Sequence, residues 1–260
     1  MALHETFRRR PGRRWHITQV NGGRMAVTED GLRIAVAGAR ARAYANAQLD
    51  DYTGLPRDRF PWRPPLRITV RARFSGPIAG TAGFGLWNSP ISPLGSVWPV
   101  LPASLWFFYA APPADMPLAL GVPGNGWKAA CLDARVPEAL AWAPLTPAVL
   151  LLNNLPPVYR RLWPMVQRAL RVAEAPLEPP DETWRTYTIE WRRDCARFTV
   201  DGRVVLETDR PPVGPLGFVA WVDNQWLVAT PTGRFGWGLH AVARPQWMDL
   251  DVLRIEPLDR

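Results

Sequence analysis

The sequence predicts an all-β chain, a two-sheet antiparallel sandwich with a partly helical insertion. Three observations lead there. Apolar residues alternate with period two in several short segments. Turn sequences such as Asn21-Gly22 and Asp201-Gly202 stand between those segments. Finally, 29 prolines in 260 residues leave little room for long uninterrupted helices. Sandwiches of this length are often single domains, with enough chain to bury a sizeable core. Hydrophobic residues make up 47% and charged residues 21%, the balance of a folded chain rather than a disordered one.

The elements read in order. Residues 1–14 form a basic arm containing Arg8, Arg9, Arg10, Arg13 and Arg14, either a frayed tail or an anion-binding segment. The sandwich domain follows over 15–260. His16–Val20 and Arg24–Thr28 flank the turn at Asn21-Gly22-Gly23, and Glu29-Asp30-Gly31 leads into Leu32–Val36. In Leu66–Phe74, arginines at 67, 71 and 73 alternate with Leu66, Ile68, Val70, Ala72 and Phe74, so one face is wet and one buried. Gly80–Trp87 comes next. Ala103–Tyr109 is apolar or aromatic on both faces, the mark of a strand covered on both sides.

The β rhythm breaks over 134–182, read as an insertion. Within it Val158–Ala173 fits a helix: Arg160, Arg161, Arg168 and Arg171 fall on one arc, and Val158, Leu162, Met165, Val166, Ala169, Leu170 and Ala173 on the other. Pro164 lies in the polar arc, where it kinks this helix or starts a second. Strands resume at Trp184–Trp191, Ala196–Val200, Arg203–Glu207, Phe218–Trp226 and Met248–Ile255.

The net charge is +8, carried by arginine apart from Lys128. Such a balance suits anionic partners, but the arginines are scattered along the chain, as a GC-rich genome would also produce. Two cysteines, Cys131 and Cys195, lack metal-ligand spacing, so neither a zinc site nor a disulfide framework is expected. No cofactor is expected. Nothing resembles a P-loop, a Gly-x-Ser-x-Gly elbow or a dinucleotide fingerprint. The N-terminal stretch has no apolar h-region and no run of 18 apolar residues occurs, so the expected location is cytoplasmic.

The segment Trp184–Val205 (WRTYTIEWRRDCARFTVDGRVV) resembles the late strands of concanavalin A-like lectins and glucanases, where W-x-x-Y-x-I-x-W is followed by a turn and x-F-x-V-D-G. Leu66–Trp87, an Arg-rich strand before Gly-Phe-Gly-Leu-Trp, looks like that family's approach to its active-site strand. The resemblance implies a jelly roll whose concave sheet forms a ligand groove. Laminarinase-type members carry Glu-x-Asp-x-(x)-Glu on the next strand, as nucleophile and acid/base. The matching strand here is Ser104–Tyr109, and no Asp or Glu stands between Asp58 and Asp115. The family's glucanase activity is therefore not carried over.

The resemblance implies that Ser104, Trp106 and Phe108 on one strand and Trp221, Asp223 and Gln225 on another face the groove, joined by Trp87 and Asn88. Trp98, Trp127 and Trp237 come from neighbouring strands or loops. The alternative for each tryptophan is sandwich core. Asp223, between Trp221 and Trp226, is either an acid/base with a raised pKa or the hydrogen-bonding end of a strand. Two functions compete. One is a protein holding a small amphipathic or apolar ligand in the Trp-rich groove, with the insertion as a lid. The other is a carbohydrate-binding or carbohydrate-active protein whose tryptophans stack on sugar rings. Peripheral contact with an anionic membrane is a third reading, and nucleic acid is not expected, because aromatic and basic residues do not interleave on one strand.

Overall fold

A computed structural model describes residues 2–90 and 100–258. Numbered along the chain, the strands among these residues form two antiparallel sheets and a separate hairpin. The first sheet runs β13 (Arg203–Thr208), β12 (Ala196–Val200), β11 (Arg185–Trp191), β6 (Leu66–Phe74), β17 (Gln246–Pro257), β4 (Gly31–Val36) and β3 (Gly23–Thr28), with β1 (Leu3–Glu5) also on β17. The second runs β10 (Ala173–Pro176), β9 (Gly126–Asp133), β8 (Ala103–Ala110), β7 (Thr81–Trp87), β14 (Gly217–Asp223), β5 (Asn46–Asp50) and β2 (His16–Val20). The hairpin is β15 (Gln225–Ala229) with β16 (Phe235–Leu239). The expected two-sheet sandwich is what the chain forms.

Alternation builds the core. β6 buries Leu66, Ile68, Val70, Ala72 and Phe74 and turns Arg67, Arg71 and Arg73 outward. From the facing sheet, Phe84, Phe107 and Trp127 meet Tyr187 and Phe198, with ring centroids 4.9 Å apart for Phe107–Tyr187 and 5.6 Å for Phe107–Phe198. Outside the first sheet, the arginines meet carboxylates: Arg67 with Glu190 at 2.6 Å, Arg33 with Asp249 at 2.7 Å, and Arg71 with Asp251. Trp247 lies 4.1 Å beneath the Arg33 guanidinium and Trp184 4.7 Å beneath Arg73. Much of the basic charge is thus locally balanced.

Three details differ from the sequence reading. Residues 3–8 of the arm are tied down: β1 pairs with β17, Phe7 is buried beside buried Trp15, and Arg8 pairs with Asp251. Phe218–Trp226 is not one strand, because β14 stops at Asp223. There Asn224 turns its side chain onto Ala45 N, Ala43 O and His240 O, which takes the chain out of the ladder and into the hairpin.

The insertion contains α1 (Pro137–Trp142), α2 (Thr146–Leu152) and α3 (Pro156–Ala169), and α3 continues through Pro164. It ends before Ala173, since Arg171 at φ 53° reverses the chain into β10. The face of α3 turned inward carries Trp163, Val166 and Ala169, and Met165 is exposed. The Trp163 indole decides that rotation by donating to Leu118 O at 3.0 Å. No helix among the described residues is long and apolar enough to cross a membrane.

Candidate ligand-binding face

The outer face of the second sheet is built by residues whose alternates fill the core. In β8, Leu105 and Phe107 point between the sheets, so Ser104, Trp106 and Phe108 point away. In β14, Ala220 and Val222 belong to the core, and Val219, Trp221 and Asp223 lie opposite. Register puts Gln48 of β5 beside Trp221, and Asn46 beside Asp223.

Glycine makes room for the large rings. β7 presents Thr81, Gly83, Gly85 and Trp87 to this face. A Cβ at Gly83 would lie 2.3 Å from Phe107 O and 3.0 Å from the Trp221 ring. At Gly85 it would lie 2.4 Å from Leu105 O and 2.6 Å from Trp106 Cβ. The alternating glycines of Gly-Phe-Gly therefore form the floor on which Trp106 and Trp221 lie.

The result is a second aromatic cluster, separate from the core. Trp87 and Trp221 stack at 6.5 Å and 11°, Trp106 and Phe108 at 5.5 Å and 22°, and Trp106 and Trp221 stand 5.7 Å apart. Tyr52 and Phe60 extend it beyond Trp87. Trp87 Nε1 donates to Tyr52 Oη at 2.8 Å, and Trp221 Nε1 to Thr81 Oγ1 at 2.9 Å. Burial and nearby Asp50 hold the Tyr52 phenol well above its ordinary pKa, so its hydroxyl keeps its proton. Trp106, half-buried, has no hydrogen bond on its indole nitrogen among the described residues. Gln48, at the edge, bonds Asp50 Oδ2 through its amide nitrogen at 2.9 Å.

The candidates from sequence divide accordingly. Trp87, Trp106, Phe108 and Trp221 come together. Ser104 shares their face but is 2% exposed, and its Oγ has no hydrogen-bond partner among the described residues. Asn88 is committed elsewhere: its amide donates to Leu101 O and accepts from Ala103 N, both at 2.9 Å, closing the loop before β8. Gln225 sits past the strand break, on the separate hairpin.

Asp223 is enclosed at 1% exposure, with Oδ1 accepting from Thr81 N, Thr81 Oγ1 and Gln225 N. Burial pushes its pKa up to about 7 against those bonds. Trp127 is core, Trp237 is exposed on β16, and Trp98 lies outside the described residues. Tyr52, Gln48 and Thr81 were not singled out from sequence. The alternation in Asn46-Ala47-Gln48-Leu49-Asp50 was a signal that could have exposed β5 and its polar face.

No group of His, Cys, Asp and Glu among the described residues is arranged to hold a metal ion. Cys131 is buried and Cys195 exposed, both as free thiols.

No family model matches the chain, and no curated protein matches it. Solved structures do. The Crh5 transglycosylase in complex with NAG is similar over 99% of this chain and 84% of its own, at 14% identity and TM-score 0.55. The catalytic domain of an endo-1,3-beta-glucanase (laminarinase) from Thermotoga petrophila RKU-1 matches over 99% and 97%, at 12% identity and TM-score 0.55. The VIP36 exoplasmic/lumenal domain in its Ca2+/Man3GlcNAc-bound form matches over 95% and 84%, at 10% identity and TM-score 0.50. With its two antiparallel sheets and these neighbours, the chain has the concanavalin A-like jelly-roll fold.

Proposed function

We propose that the chain binds glycans on the outer face of its second sheet without hydrolysing them. The observation that carries this reading is the platform of Trp87, Trp106, Phe108 and Trp221, with Gln48 at its edge. A sugar ring presents an apolar C–H face suited to an indole, and its hydroxyls are served by edge groups and water. The Trp106 N–H and the free carbonyl oxygen of Gln48 supply one donor and one acceptor. The structural neighbours support the choice of ligand class, since they are a transglycosylase with bound NAG, an endo-1,3-beta-glucanase and a domain with bound Man3GlcNAc.

The carboxylates support binding over hydrolysis. Glycosidases need two carboxyl groups about 5–10 Å apart. The strand that resembles the catalytic one carries Ser104, Trp106 and Phe108 outward, with no acid. On neighbouring strands Asp223 and Asp50 lie four ladder positions apart, roughly 13 Å at about 3.3 Å per residue. Each is already spent on main-chain bonds, Asp223 to Thr81 N and Gln225 N, Asp50 to Tyr52 N and Thr53 N. We read Asp223 as a strand-end fastener rather than a catalytic acid.

One observation favours a small amphipathic ligand instead. The indole nitrogens of Trp87 and Trp221 are satisfied internally, which leaves the platform largely apolar. A single titration series separates the two. Tryptophan fluorescence is followed against β-1,3- and β-1,4-linked gluco-oligosaccharides, N-acetylglucosamine oligomers, and the amphiphile anilinonaphthalene sulfonate. Glycan binding gives a saturable change with an oligosaccharide that Trp106→Ala abolishes, with no new reducing ends after long incubation. Saturation by the amphiphile alone supports the apolar reading, and release of reducing ends overturns the non-hydrolytic one.

A further inference from the structure

The helical insertion turns an unusual amount of apolar side chain toward solvent. Leu151 is 74% exposed, Met165 57%, Leu155 54%, Leu145 52% and Leu140 51%. These are not core residues left unpacked, because the insertion has its own buried cluster of Val149, Trp163 and Val166 on the other side. A groove of about 330 Å3 runs between the end of α2 and α3, lined by Leu152, Pro157, Val158, Leu162 and Met165, with Arg161 among its walls.

Charge on this surface is mostly positive. From Ala139 to Ala173 there is no Asp or Glu, and the segment carries Arg160, Arg161, Arg168 and Arg171. Arg171 faces Glu138 at 3.9 Å. Arg160, Arg161 and Arg168 are exposed and make no ion pair among the described residues, unlike the matched arginines of the first sheet. Beside them the hairpin loop is bonded to the end of α2, through Asn153 to Pro231 O at 2.9 Å and Asn154 to Thr232 O at 3.2 Å. That hairpin carries Phe235, 80% exposed, and Trp237, 58% exposed.

We infer that this surface docks on an anionic phospholipid bilayer, its leucines entering the headgroup boundary and its arginines meeting lipid phosphate. Helices with apolar residues on one side and Arg around them lie in the interface plane in this way, and exposed aromatic rings suit the same depth. A second copy of the chain fits less well. A two-fold contact sets the same patch against itself, so Arg160, Arg161 and Arg168, unpaired among the described residues, would face their own copies. Nucleic acid would use the arginines and leave the leucines in water.

The experiment is co-sedimentation of the full chain with phosphatidylcholine vesicles, with and without phosphatidylglycerol. Binding is expected only with the anionic lipid and should weaken with salt. Replacing Arg160 and Arg161 with Gln should lower partitioning about thirtyfold, at about 1 kcal/mol per arginine. Leu151→Asp with Leu155→Asp should abolish it, and an unchanged melting temperature would show that the fold survives. Equal binding to neutral vesicles overturns the proposal, as does absence from both. So does a dimer in solution that Leu151→Asp dissolves, which would assign the patch to a second copy.

Discussion

One strand carries two aromatic worlds. In β8, Leu105 and Phe107 are sealed between the sheets, and one residue along, Trp106 and Phe108 are half-buried on the outer face. Inside, Phe107 meets Tyr187 and Phe198 edge-on and stacks on Trp127, with the sheets closing over every ring. Outside, Trp87 lies flat against Trp221 and Trp106 against Phe108, supported from below by Gly83 and Gly85. The inner rings are packed against one another, whereas the outer ones are packed on one side and leave a surface. Residue type does not distinguish the two groups. Their difference comes from which side of the pleat has a second sheet.

The sharpest test cuts one tryptophan on each face. Trp127→Ala removes a ring that touches Phe74, Phe84, Phe107 and Tyr187 and should cost about 3–5 kcal/mol in denaturant unfolding. Trp106→Ala should cost about 1–2 kcal/mol, because part of its surface already meets water. Equal losses would erase the distinction, and Trp106 would then be core for a single-sheet layer.

A second test compares the covered and open ends of the outer face. Toward β10, the same face carries Lys128 and Glu174, joined at 2.8 Å with both side chains 3% exposed. Lys128→Met strands a buried carboxylate that, among the described residues, keeps only Ala119 N as a donor, so a loss of about 3 kcal/mol is expected. Adding Glu174→Leu should recover most of it, since two apolar groups need no solvation there. A double variant no better than the single one would mean that the pair fixes the fold by geometry rather than by charge balance.

Much of this was legible in the sequence, for a physical reason. Strand alternation and tight turns are local, so Leu66–Phe74 and the hairpin at Asp201-Gly202 read directly. The Gly-Phe-Gly-Leu-Trp run and Ala103–Tyr109 stood out by composition, and the frame that sends Trp106 and Trp221 to one side follows from period two. What was not legible depends on contacts distant in the chain. Asn224 ends β14 by bonding Ala43, Ala45 and His240. Trp163 sets the rotation of α3 through Leu118. Asn88 is absorbed by its own loop. No local pattern announces which polar side chain will find such a partner.

Asp223 supplies the finest probe of the outer face, because it sits under the platform without opening onto it. The bonds from Thr81 N, Thr81 Oγ1 and Gln225 N all arrive at Oδ1, so Asp223→Asn keeps an acceptor for those three and removes the ability to ionise. Burial raises the folded pKa from 3.8 to about 7. Between those values the folded chain holds a proton that the unfolded chain has released, so stability falls as pH rises through that window. Below it both states are protonated and no penalty exists; above it the penalty is constant. Wild type measured against Asp223→Asn should therefore lose about 1 kcal/mol per pH unit between roughly pH 4 and 7, and nothing further beyond. Urea unfolding across that range reads the difference directly. Parallel curves would mean that Asp223 is ionised in the fold at little cost. Water or a cation would then have to reach it, and the sealed floor beneath Trp221 would have to be redrawn as part of an open site.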